Sequence, residues 1–132
     1  MFMKIHEVKE KCYLETLEES ITNVEMVINH LEKLALREGE FASHILRKDR
    51  IISILHLELA LASYCVLLRK MRENQMIIYN DKLRADINSI IHSNRFEYFG
   101  SYIIVHSQKG KEEVDLHSLL RYGKSILKEN EA

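Results

Sequence analysis

Seven histidines in a chain of 132 residues raise a first chemical question, whether they gather a metal. A carboxylate-bridged di-iron bundle needs Glu-x-x-His pairs, so that both ligands project from one helix face. No Asp or Glu in this chain has a His three positions later. A His-Glu-x-x-His motif and the paired cysteines of a zinc site are also missing. His-Ser dipeptides begin at His92, His106 and His117, 14 and 11 residues apart, a spacing that fits no ligand set. The expectation is no metal and no cofactor, with histidines at the surface or partly buried.

A helical ribonuclease of the HEPN type would pair an arginine with a histidine a few residues on. Arg50 to His56 and Arg37 to His44 meet that loose pattern. With eight arginines and seven histidines, chance alone supplies about one such match. Arg50 and His56 would also share one helix at the start of its apolar section, a poor place to hold RNA. Phosphate-cradling glycine loops and nucleophile elbows are absent. The expectation is a protein that is not an enzyme.

The elements around these residues are mostly helical. From about Lys4 to Arg37, apolar residues recur at Leu17, Ile21, Val24, Ile28, Leu31 and Ala35, in steps of four and three that form one helix face. Ile5, Val8 and Cys12 run on a shifted phase, so a bend or two consecutive helices is expected near Thr16 to Thr22, with Thr22 and Glu25 as a weak capping box. Gly39 punctuates the chain, and Ser43 can cap a second helix to Glu73. Residues 51–68, IISILHLELALASYCVLL, are apolar all round, and a helix with no wet face must be surrounded by other protein. Arg47, Lys48 and Arg50 precede this run, and Arg69, Lys70 and Arg72 follow it; they read as solvated helix ends. A membrane span is disfavoured, because the run is slightly short and Glu58 and His56 would sit near its middle.

Asn80 or Asp81 starts a third helix carrying Leu83, Ile87, Ile90 and Ile91, which fades near Asn94. Tyr102–Val105 and Glu113–Leu116 read as the strands of a hairpin, with Gly110 supplying positive φ in the turn. Leu119, Leu120, Ile126 and Leu127 place a closing helix over His117 to Lys128. The fold class expected is mainly α: a helical domain over residues 1–95, then a small β-hairpin with a terminal helix over 96–132. A net charge of −1 argues against direct nucleic-acid binding. Cys12 and Cys65 read as reduced core residues of an intracellular protein, and the amino terminus lacks the apolar stretch of a secretory signal.

Lys9-Glu10-Lys11-Cys12-Tyr13-Leu14-Glu15-Thr16-Leu17-Glu18 resembles the segment near the start of the SLD-five subunit of the GINS complex, and the similarity runs on through Val24 to Glu32. Asp49-Arg50-Ile51 is similar to the step that opens that family's central helix. Ser101 to Val105 resembles the first strand of its small carboxy-terminal domain. Val114-Asp115-Leu116, Leu119 to Tyr122 and Ile126-Leu127 resemble its closing strands and terminal helix. Leu14 stands where the family motif has proline, Lys9 where it has asparagine, and the carboxy-terminal domain is shortened.

The resemblance implies a non-enzymatic scaffold subunit in DNA replication, in the nucleus, joined to three other GINS subunits. Through that complex it would meet the MCM helicase and a Cdc-forty-five-type protein, with no membrane involved. The interface residues expected are Leu17, Ile21, Val24, Ile28 and Leu31, each of which is also a core candidate, with Tyr102, Ile104, Leu116 and Tyr122 in the tail. Two alternatives stay open: a self-associating helical bundle, such as a cytoplasmic regulator or export chaperone, and the ribonuclease.

Overall fold

The computed structural model describes the backbone of residues 5–38 and 44–131, and side chains over 10–35 and 47–131. Gly39 and Ser43, and the side chains of Arg37, His44, Ile5 and Val8, therefore lie outside the described residues, while Ala35 is exposed. The chain is a mainly helical body followed by a small antiparallel sheet and a last helix. In order these are α1 (Ile5–Glu38), α2 (His44–Glu73), α3 (Asp81–Ile91), β1 (Arg95–Tyr98), β2 (Tyr102–Ser107), β3 (Gly110–Asp115) and α4 (Leu116–Glu129).

α1 is a single helix, not two. Thr16 and Thr22, expected at a bend or a break, donate their hydroxyls to the carbonyls of Cys12 (2.8 Å) and Glu18 (3.0 Å). Bonding back by one turn keeps a threonine inside a helix and leaves Thr22 no capping role. α1 and α2 form an antiparallel pair: Asn74, just past the end of α2, donates to the Tyr13 hydroxyl near the start of α1 (3.3 Å). α3 begins where the sequence places it, with the Asn80 side chain accepting from the Leu83 N–H at 2.8 Å.

The hairpin forms in the expected place, β2 against β3 with Ser107 opposite Gly110 and Gly110 at φ +119°. The sheet has a third strand that the sequence reading left out. Arg95–Tyr98 pairs antiparallel with β2, Phe96 opposite Val105 and Tyr98 opposite Ile103, and Gly100 turns the chain at φ +84°. Phe96, Tyr98, Ile103, Val105 and Val114 share one sheet face and are all buried. Leu116, expected to close a strand, is the first residue of α4; Asp115 caps that helix by accepting from the His117 and Ser118 N–H groups (2.9 and 3.2 Å).

α4 ties the tail to the helical body. The Tyr64 hydroxyl of α2 donates to the Leu119 carbonyl at 2.6 Å, and Lys124 meets Glu25 of α1 at 3.1 Å. Gly123 makes the approach possible, because a Cβ there would stand 2.3 Å from the Tyr64 hydroxyl oxygen. One cluster of buried side chains runs from Leu17 in α1 through α2, α3 and the sheet to Ile126 in α4. Cys65 lies inside it; Cys12, also expected in the core, is exposed.

Candidate interaction surface

α2 is the element whose sequence has no wet face, and it is only half covered. Leu57, Leu61, Tyr64, Cys65, Leu68 and Met71 recur every three or four residues and are all fully buried. That face packs on α1, α3, β1 and α4. On the other side Ile51 is 61% exposed, Ile52 41%, Leu55 53% and Leu59 69%. Half-buried Ala62 and Val66 continue the line. At 100° per residue these six positions fall within about a third of the helix circumference. The stripe spans about 22 Å at a rise of 1.5 Å per residue. α2 is long and apolar enough to cross a membrane by length and composition, with 39% of its apolar window buried.

The stripe borders the seam with α1, where two shallow hollows open. Cys12, Tyr13 and Thr16 of α1 face Ser63, Val66, Leu67 and Lys70 of α2 around one of about 530 Å³. Nearer the other end, Val27, His30, Ser53 and His56 line a second of about 520 Å³, with Met26 (63% exposed) at its rim. The charges sit at the ends. Lys48 lies one turn before the stripe, Arg69 and Lys70 one turn after it, and Lys48 and Lys70 are exposed. Arg72, one of the helix-end residues, stacks over the Tyr79 ring, 4.8 Å from its centre. Glu58 borders the stripe, and partial burial raises its carboxyl above the usual range.

The interface residues expected in α1 lie elsewhere. Leu17, Ile21, Val24, Ile28 and Leu31 are buried in the chain's own core, as is Leu116, so in this structure they present no surface to a partner. Tyr102, Ile104 and Tyr122 are half-buried. Tyr102 stacks on exposed Phe99 (centres 5.2 Å apart), and Tyr122 donates to the Ile78 carbonyl. The first and second helices are both expected to supply an interface, yet no residue of the exposed α2 stripe is among the contact residues expected. Its signal is present in the apolar run at 51–68, which Ser53, His56, Glu58 and Ser63 interrupt, but such a run does not say which side faces out.

For chemistry, the described residues offer little. No group of three or more His, Cys, Asp or Glu side chains that could hold a metal occurs among them. His56, expected to enter the apolar section of its helix, is exposed, as is Arg50. Burial pushes the Cys65 thiol far above its ordinary range, so it is a poor nucleophile. A hollow of about 820 Å³ between the end of α3 and the β2–β3 turn mixes His92, Lys109 and Lys111 with Glu112, whose carboxylate accepts from Ser89. The Tyr98 hydroxyl and His106 Nε2 are buried without a hydrogen bond, though Glu97 lies 3.6 Å from that nitrogen.

Compared with protein-family models, with curated proteins and with solved structures, the chain matches none.

Proposed function

We propose that this protein is a non-enzymatic scaffold subunit of a GINS-type assembly, held among three sister subunits and supporting assembly of the replicative helicase. The observation that carries the reading is the exposed apolar face of α2, Ile51, Ile52, Leu55 and Leu59. Four large aliphatic side chains in line on one helix are a contiguous patch of the kind that marks a protein contact. The order of elements also agrees with the resemblance, a helical body first and a small sheet with a terminal helix after it. The MCM motor and the Cdc-forty-five-type protein would be met through the complex, in the nucleus.

Co-expression with the three other subunits from the same source tests this. The expected result is a complex of fixed stoichiometry that survives size exclusion and is lost in the Leu55→Glu/Leu59→Glu variant. A chain that stays a well-behaved monomer beside those three partners overturns the reading.

A further inference from the structure

We infer that the exposed face of α2 seats one amphipathic helix from a different polypeptide, aliphatic along its middle and carboxylate-bearing near both ends. The inference rests on the interaction-subunit reading and adds the chemistry of the partner. Three observations lead to it: the shape of the face, its charges, and what those charges do to a second copy of this chain.

The face is a straight ridge beside a groove. The stripe runs for about four turns, and the hollows at Tyr13 and at His30 lie along the α1–α2 seam beside it. A third helix laid there sets its ridges into a groove made by two others, the usual way an antiparallel pair extends into a bundle. A partner helix needs apolar residues repeating at i, i+3, i+4 and i+7 over about four turns to meet the stripe from Ile51 to Val66.

Basic residues flank the stripe at both ends, with the acidic Glu73 one turn beyond Lys70. Lys48 lies eleven residues before Leu59 and Lys70 eleven residues after it. A two-fold antiparallel pairing of two copies, centred on the stripe, would therefore set Lys48 against the Lys70 side of its mate twice over. A parallel two-fold pairing sets each lysine against itself. Self-pairing in either of these two registers puts like charges together, which disfavours it. Carboxylates near both ends of a foreign helix satisfy both clusters at once. A lipid surface fits less well, because Glu58 borders the stripe and the chain carries a net charge of −1.

The test uses the full chain and two synthetic amphipathic peptides of about 18 residues. They share one leucine stripe; one carries glutamates at both ends, the other lysines. Fluorescence anisotropy at low salt is expected to show the acidic-ended peptide binding at least about tenfold tighter, with the margin shrinking as salt screens the charges. The Lys48→Glu/Lys70→Glu variant, altered only at exposed positions, is expected to invert the preference while its thermal melt stays unchanged. Equal binding, no binding, or an unaltered preference in that variant overturns the inference. So does a wild-type dimer that sedimentation shows and Leu59→Glu dissolves, or capture on anionic phosphatidylglycerol vesicles in place of peptide binding. Acidic-peptide binding alongside failed assembly with the three sister subunits would leave this inference standing and remove the family reading.

Discussion

The two sides of α2 carry the same kinds of residue and meet opposite fates. Leu57, Leu61 and Leu68 are fully buried, while Leu55 and Leu59, two positions away, are more than half exposed. The inward side is fixed by a fold that closes over it; Tyr64 on that side even spends its hydroxyl on the carbonyl of a helix 55 residues further along the chain. Among the described residues, the outward side has only the α1 seam beside it. Burial of an aliphatic side chain is thus a property of what the rest of the chain can reach, and the described residues reach only half of α2.

That contrast can be broken by substitution. Leu61→Ala, on the inward side, is expected to destabilise the protein by about 2–5 kcal/mol in chemical denaturation, since a full side chain leaves a packed site. An effect below about 1 kcal/mol would mean that the inward side is not closed. Gly123→Ala comes next, at about 1–3 kcal/mol from overpacking against the Tyr64 ring and hydroxyl. Adding Tyr64→Phe, which removes the nearest atom, should recover part of that loss, a non-additivity that a double-mutant cycle reads directly.

Smaller effects sharpen the comparison. Asp115→Ala removes the cap of α4 and should cost about 1 kcal/mol. The N–H groups of Ser118 and His117 hold the Asp115 carboxyl below its ordinary range. A carboxyl lowered on folding stabilises above its unfolded pKa, and that stabilisation fades as pH falls through the lowered folded value. The gap between wild type and Asp115→Ala should therefore narrow on acidification below the ordinary carboxylate range, and denaturant titrations across pH 2 to 6 (roughly the span around that range) would detect it. Least of all, Leu55→Ser or Leu59→Ser on the outward side should change the isolated chain's stability by no more than about 0.5 kcal/mol, yet weaken any complex formed through that face.

Much of this arrangement is legible in the sequence. The core side of α1 follows from the spacing of Leu17, Ile21, Val24, Ile28 and Leu31, because steps of three and four admit one buried face. Asn80 announces α3, and Gly110 with its flanking β-branched residues announces the hairpin. β1 left a weaker trace, the alternation Arg95-Phe96-Glu97-Tyr98 before Gly100. Four residues are too few to separate a strand from the frayed end of a helix, and pairing with β2 settles the matter. Gly123 left none, since a glycine inside a helix looks like a simple weakness until Tyr64 is found against it.

The sequence by itself determined the helices, the hairpin turn and the excess of apolar residues in α2, because periodicity, capping groups and positive-φ glycines act locally. It also located charge at both ends of that helix. Only the tertiary structure decided which side of α2 stays in solvent: a helix apolar all round carries no phase, so its orientation comes from Tyr64, Gly123 and the strands that pack on one flank. The α1 stripe, expected to face the core or a neighbour, is a phased face and lies in the interior, so the surface a partner would cover is on the neighbouring helix.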